Sequence, residues 1–411
     1  MAVNRSILPE TGVPRAALEA ELQALKGDSV RKHWSLAFRG PADVQDIGRL
    51  AYNLFLSDNG LFSLRADYLG RIEQDLLGMC VGLFHPPEGA WGTFTSGGSE
   101  SNYSALHAMR EWAREHFPAV RSPQIVVPYS AHPTFSKGCH YFGLTLVRVP
   151  IGADLRADVA AMDDAVNENT IGIAGSAPCW PYGVVDPIEA LGAVASRHGL
   201  WLHVDACVGG YLAPFAERIG HRLPLWDFRV PAVQSISADL HKYGYCPKPA
   251  STVLWRSPSL QKYHHVHPTD WPGGPYAMQG FAGSRSAGPI FGAWAVMRYL
   301  GRAGYERLAA QVFERRQQLI EGIEAIDGLY ALRGDLPPLA FGSRTLDLQV
   351  IMGEMRAKGW ILVAGREPPL INLPIDAALD DAVIAPFLED LLAAARVARG
   401  GKEGKRAELN Y

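Results

Sequence analysis

What most constrains this chain is its middle, residues 92–256, where short apolar runs bounded by turns alternate with segments of helical spacing. The runs cover residues 124–127, 144–149, 171–174, 200–204, 232–236 and 252–255. A strand that is apolar throughout must be covered on both faces, and such strands alternating with helices pack as a parallel α/β sheet. Ligands of these sheets gather where the carboxyl ends of the strands open into loops. The residues just after each run are therefore the first to read for chemistry.

Around this body the pattern changes. From about residue 14 to 84 the spacing is helical: Leu18, Leu22 and Leu25 fall on one face, and Ile47, Leu50, Ala51 and Leu54 repeat the pattern. Beyond Pro289 two helical stretches, about 290–300 and 305–326, lead into a mixture of strand and helix that ends near Arg399, and residues 400–406 read as a tail. Three zones result: an N-terminal helical segment (1–84), a large α/β body (85–289) and a smaller C-terminal domain (290–411). A net charge of -3 gives no footprint for nucleic acid or an acidic membrane surface. No apolar run approaches the roughly 18–20 residues that cross a bilayer, and the N-terminus lacks a secretory pattern. Cys80, Cys139, Cys179, Cys207 and Cys246 are odd in number and lack CxxC spacing, which argues against a disulfide framework or structural zinc. A cytoplasmic protein is expected.

Four segments at strand ends carry candidate chemistry. The first, Thr95–Asn102 (TSGGSESN), opens a helix that runs to about His116. Gly97 and Gly98 let the backbone come close to a ligand, and free amides at the helix start favour a phosphate, to which Ser99 adds a hydroxyl. The second is Ser130-Ala131-His132-Pro133, whose imidazole could lie flat on an aromatic cofactor. In the third, His203-Val204-Asp205-Ala206, a carboxylate ends a buried strand, which is costly unless it is paired; a pyridinium nitrogen is a fitting partner. The fourth, Ser237-Ala238-Asp239-Leu240-His241-Lys242, puts a lysine in the turn after a strand, where burial or neighbours can make it a nucleophilic amine. Each also has a plain reading: a capped helix start, a structural histidine, a helix N-cap, a solvated surface lysine. Together, in chain order on successive strands, they supply the parts of a pyridoxal-phosphate (PLP) site.

These segments resemble fold-type I PLP enzymes of the group II decarboxylase superfamily and, within it, the sphingosine-1-phosphate lyase family. Thr95–Asn102 resembles that family's T-S-G-G-T-E-S, and HVDACVGG at 203–210 its H-V-D-A-C-x-G-G. SISADLHKYGYCPKPAS at 235–251 resembles S-I-S-A-D-x-H-K-Y-G-Y-A-P-K-G-x-S, and Gly283-Ser284-Arg285 its G-S-R. The similarity runs over residues 35–286, with a looser match beyond. It implies a large domain built on a mostly parallel seven-stranded sheet, a smaller C-terminal α/β domain, and a homodimer with a shared active site. It also implies residue roles. Lys242 would hold PLP as a Schiff base, Asp205 would pair with the pyridine nitrogen and His132 would stack on the ring. Gly97, Gly98, Ser99, Ser237 and His241 would line the cofactor site, with Ser284 reaching the phosphate from the other subunit. Lys248 matches a second lysine that these lyases use near the substrate phosphate and in catalysis.

Two positions depart from the family. Phe38 stands where the family has a catalytic tyrosine, and Phe62 where it has a histidine that contacts the substrate phosphate; a phenyl ring neither donates a hydrogen bond nor moves a proton. The expected reaction is cleavage of the Cα–Cβ bond of a β-hydroxy amine, with or without a phosphate. Decarboxylation of an amino acid is the alternative, favoured by the two phenylalanines. Arg285 and Arg366 are candidate partners for a carboxylate or phosphate. His264, His265 and His267 read as part of a loop bordering the site, in preference to a metal cluster. Trp180, Trp201 and Trp255 read as core. Cys207 and Cys246 read as buried packing residues, with sensitivity to oxidation as the other possibility.

Overall fold

The computed structural model describes residues 11–28, 38–61, 68–274, 276, 280–400 and 405–407. Three helices, α1 (Arg15–Asp28), α2 (Ala42–Leu54) and α3 (Tyr68–Gly82), precede strand β1 (Trp91–Thr95) and helix α4 (Gly98–His116). Strands and helices then alternate: β2 (Gln124–Pro128), α5 (Thr134–Phe142), β3 (Thr145–Val149), α6 (Val159–Asp164), β4 (Thr170–Ser176), α7 (Ile188–His198), β5 (Trp201–Asp205) and α8 (Ala213–Arg218). Next come β6 (Val233–Ala238), β7 (Ser251–Trp255) and α9 (Pro258–Gln261), followed by the long α10 (Gly288–Glu324). The chain ends with β8 (Leu329–Ala331), β9 (Leu339–Ser343), α11 (Leu348–Ala357), β10 (Val363–Arg366), β11 (Pro369–Leu373) and α12 (Asp381–Arg399).

The large sheet has seven strands in the order β1-β7-β6-β5-β4-β2-β3. All run one way except β7, which is antiparallel to both β1 and β6. This is the mixed α/β, mostly parallel sheet that the sequence implies. Its faces are both covered because the side chains alternate. In β2, Ile125 and Val127 pack on one side and Val126 on the other; in β7, Val253 and Trp255 oppose Leu254. Strand β3 is the exception to the expectation of full burial: it lies at the sheet edge, and only Val149 is fully buried. A second, four-stranded antiparallel sheet has the order β10-β11-β9-β8.

Two helical expectations are refined. The stretches at 290–300 and 305–326 are the halves of α10, which breaks direction at Gly301, where φ is 54° and ψ is -174°. A side chain there would strain the backbone, so glycine sets the break. In α1 the predicted apolar face forms but is not buried by the described chain: Leu18, Leu22 and Leu25 are 44%, 56% and 61% exposed. Periodicity predicts that a helix has an apolar face; it does not say what covers it.

Candidate active site

The carboxyl ends of β4, β5 and β6 and the start of α4 surround a cavity of about 390 Å³. Gly97, Gly98, Ser99, His132, Asp205, His241 and Lys242 all line it. Residues up to 145 positions apart in the chain thus meet in one space because the sheet sets β1, β5, β6 and β7 close together.

At one end is the first turn of α4. The amides of a helix's first turn lack intrahelical acceptors and point at whatever lies beyond the helix. Gly98 admits no larger residue: a Cβ there would lie 2.7 Å from Cys207 Sγ and 3.0 Å from both oxygens of Asp239. Glu100 closes the turn by accepting from the Ser96 amide at 2.7 Å, and Ser99 Oγ lies 3.4 Å from Thr134 Oγ1.

Asp205 ends β5 and is buried. Burial by itself would raise its pKa; His132, the Cys207 amide and His203 outweigh it and hold the carboxyl below the usual range, so it is ionised. Asn102 Nδ2 donates to its Oδ2 at 3.0 Å and the Cys207 amide to its Oδ1 at 3.1 Å. Among the described residues no lysine or arginine forms an ion pair with it. A buried anion held by neutral donors and facing a cavity suits a cationic ring nitrogen.

Behind Asp205 a relay fixes its orientation. Asn102 donates to Asp205, so its Oδ1 accepts from His203 Nε2 at 3.0 Å, while His203 Nδ1 takes the Ser235 hydroxyl at 2.8 Å. Burial pushes His203 down to about 4, which keeps the imidazole neutral. A group whose folded pKa lies below its unfolded value of about 6.5 contributes stability that is full above pH 6.5 and fades as pH falls toward 4. Over that window this residue should cost roughly 3 kcal/mol of folding stability. Urea unfolding of wild type and His203→Gln at several pH values checks this; a gap between them that does not change with pH would refute it.

Lys242 Nζ lies 2.9 Å from Asp239 Oδ2, and Ser251 Oγ donates to Asp239 Oδ1 at 2.6 Å. Burial would lower the lysine's pKa, but the Asp239 carboxylate outweighs it and raises the pKa, so in the absence of cofactor the amine is held as ammonium. Removing that charge in Asp239→Asn should free the amine at lower pH. PLP added to the cofactor-free variant near pH 7 should then recover its visible absorbance about tenfold faster, one pKa unit being tenfold in free amine. An unchanged rate would mean that the ion pair does not control capture. His241 accepts the Ala250 amide at Nδ1, 3.2 Å away, and burial, with Lys242 and Lys248 adding to it, lowers its pKa despite Asp239.

His132 Nδ1 accepts the Thr134 amide at 3.2 Å and lies 2.5 Å from Thr134 Oγ1, so its neutral form carries the proton on Nε2. Burial lowers its pKa, Asp205 opposing. Its loop is latched by Arg148 of β3, whose Nη1 donates to the carbonyls of Ala131 at 2.9 Å and Tyr129 at 3.2 Å.

Other predicted residues fall elsewhere. Ser237 is buried within β6 and lines no part of the cavity; it is in register with Asp205 on the same sheet face, and its Oγ lies 3.2 Å from His203 Nε2, in the relay behind that carboxylate. Ser284 is exposed, takes Asn59 Nδ2 at 3.2 Å, and does not reach its own chain's Lys242 cavity. Lys248 lies beyond His241, lining a neighbouring cavity of about 210 Å³ with Phe38; burial and then Lys242 lower its pKa. Phe38 is buried, edge-on to Tyr243 at 4.8 Å and to Trp180 at 6.5 Å; Phe62 lies outside the described residues. A larger cavity of about 800 Å³ shares His132 and Trp180 with the first, and Arg366 and Asn372 of the second sheet close its far side. Arg285 lines neither cavity and lies 3.7 Å from Glu73.

Trp180 corrects an expectation. Trp201 and Trp255 are fully buried, whereas Trp180 follows the carboxyl end of β4 and lines both cavities. His264 packs on the Trp255 ring at 5.6 Å, and His264, His265 and His267 border neither cavity. Cys207 lines the 390 Å³ cavity, and its thiol pKa is pushed up by burial; Cys246 donates to the Gly244 carbonyl at 3.2 Å. Asn102, Asp239 and Arg148 have no role in the sequence reading. The first two lie inside the motifs, as polar residues where the elements bury them; Arg148 carries no local signal.

The residues therefore fit a phosphate at the α4 start, a cationic ring beside Asp205 and an amine-linked carbonyl at Lys242. The model of the pyridoxal-dependent decarboxylase conserved domain matches residues 68–330, and the chain belongs to this family of PLP-dependent proteins, with pyridoxal phosphate as its cofactor. Within it the similarity is to sphingosine-1-phosphate lyases. That of Oryza sativa subsp. japonica is 38% identical over 402 residues, covering 94% of this chain and 74% of that protein. That of Arabidopsis thaliana is 39% identical over 327 residues, covering 78% of this chain; the match spans 60% of that relative's length. The solved structure of sphingosine-1-phosphate lyase from Burkholderia pseudomallei superposes with a TM-score of 0.91 at 34% identity, covering 97% of this chain and 94% of that one. No described helix is long and apolar enough to cross a membrane.

Proposed function

We propose that this chain is a carbon–carbon lyase that cleaves the Cα–Cβ bond of a β-hydroxy amine, with or without a phosphate, into an aldehyde and an amine. What carries this reading is the similarity to sphingosine-1-phosphate lyases along nearly the whole chain, together with Lys242 and Lys248 on either side of His241. Bound pyridoxal phosphate supplies a sink for the electron pair released when the bond breaks.

The chain's own residues do the rest. Gly97, Gly98, Ser99 and His241 hold the phosphate, Asp205 holds the ring nitrogen's proton, and His132 covers the ring face. Lys242 holds the cofactor until the substrate's amine takes its place; its Nζ then accepts the β-hydroxyl proton and returns a proton to Cα. With its pKa lowered toward the working range, Lys248 is the second candidate for one of these transfers. The 800 Å³ cavity beyond His132 takes the rest of the substrate.

The chain acts as a homodimer with a shared site. The exposed apolar face of α1 and the exposed Ser284, away from its own Lys242, support this. Light scattering should give twice the 44.8 kDa chain mass, and a fully active monomer would refute it. A cytoplasmic location is consistent with five buried, unpaired cysteines.

Amino-acid decarboxylation is the second reading, favoured by Phe38, which offers no hydroxyl beside Tyr243 and Trp180. One experiment separates them. The PLP-loaded protein is given phosphorylated and unphosphorylated long-chain β-hydroxy amines, or common amino acids, and products are identified by mass spectrometry. Aldehyde release supports the lyase; carbon dioxide with the matching amine, and no aldehyde, overturns it.

A further inference from the structure

Away from the catalytic cleft, a cavity of about 670 Å³ opens where α10 passes α8 and the turn between β8 and β9. His221, Arg222, Phe313, Glu314, Arg316 and Asp335 are in its wall. It shares no lining residue with either cavity at the active site.

Arg316 is 9% exposed, yet it has little to hold. Its Nη2 donates to the Gly334 carbonyl at 2.6 Å; among the described residues its Nε meets no acceptor and no carboxylate forms an ion pair with it. Asp335, the acid of the same wall, is committed elsewhere: its oxygens take Arg156 at 2.7 and 3.1 Å, and Oδ2 also takes the Val185 amide at 2.7 Å. Burial lowers the pKa of Arg316, Tyr243 and Asp335 opposing. A buried cation with most of its donors unused is costly unless a counter-charge completes it. At the mouth, Arg222 is exposed and the His221 ring stacks on Phe313 at 3.7 Å and 18°. Glu314 is exposed on the helix surface, where water screens it.

We propose that this cavity binds a small oxyanion, a phosphate or carboxylate group, gripped by the Arg316 guanidinium with Arg222 and His221 at its mouth. A planar guanidinium with free donors matches either anion in a two-point contact. The ligand is held outside the reacting site, so it is neither substrate nor cofactor.

The PLP-loaded full chain is titrated calorimetrically with inorganic phosphate and, separately, with acetate, chloride keeping the ionic strength constant. Saturable binding of at least one is expected, weakened about tenfold or more by Arg316→Gln and about two- to threefold by Arg222→Gln. Crystals of the holoenzyme soaked in selenate should give an anomalous peak beside the Arg316 guanidinium, distinct from any anion near Lys242 and Lys248. Should Arg316→Gln fail to fold, Arg222→Gln and the peak carry the test. No binding of either anion, binding that neither substitution weakens, or selenate only at the catalytic cleft would overturn the proposal. None of these results depends on which bond the enzyme cleaves.

Discussion

Replacing Lys242 with alanine is expected to remove the visible absorbance of the PLP-loaded protein and to lower turnover by on the order of 10⁴-fold or more. The size of the effect follows from the geometry. Lys242 is the lysine whose Nζ stands in the cavity with Asp205, His132 and the α4 start. Lys248, the other lysine of the same motif, lines the neighbouring cavity behind His241 and not this one, so it should not take over the link. Lys248→Ala should therefore keep the band while losing activity on the order of 10²-fold, the scale of one positioned proton-transfer group. Absorbance spectra and single-turnover rates of both variants check this. A Lys242→Ala protein that retained the band would assign the cofactor link to another residue and sink the proposed site.

Asp205→Asn should lower turnover by on the order of 10³-fold while leaving the fold intact, the scale of one preorganised electrostatic group. Asparagine keeps the shape, but its one carbonyl oxygen can accept from only one of the two present donors, the Cys207 amide or Asn102 Nδ2, so the charge and one accepted hydrogen bond are lost together. In the wild type the carboxyl's pKa is held low, so the charge is present above the ordinary carboxylate range near 3.9 and disappears only as pH falls through the lowered value. Asp205 should therefore not contribute the acid limb of a pH–rate profile near neutrality. Steady-state kinetics of the holoenzyme variant test both points. Turnover within about threefold of wild type, with normal cofactor content, would mean that the ring nitrogen does not rely on this charge.

Much of this was legible because local patterning and local chemistry coincide. Each of the six apolar runs is a strand, and all but the edge strand β3 are covered on both sides, as a run with no polar face requires. The candidate residues, Ser237 and Ser284 apart, lie at strand ends because loops there are the parts of such a sheet free to carry polar chemistry. The opposite direction of β7 was not legible. Its run looks the same whichever way it points, and what reverses it is the connection through residues 239–250, which holds no crossover helix.

The sequence by itself determined six of the seven strands of the large sheet, a glycine turn that permits close approach at residues 97 and 98, and the chain order of phosphate cup, imidazole, carboxylate and lysine. Only the tertiary structure decided the distant partners: Asn102 between His203 and Asp205, Arg148 latching the His132 loop, and an Arg316 that has no ion pair among the described residues facing a distant cavity. Local patterns reach a few residues along the chain. These contacts depend on the order in which strands lie side by side, and that order is set by how the whole sheet and its helices bury their faces together.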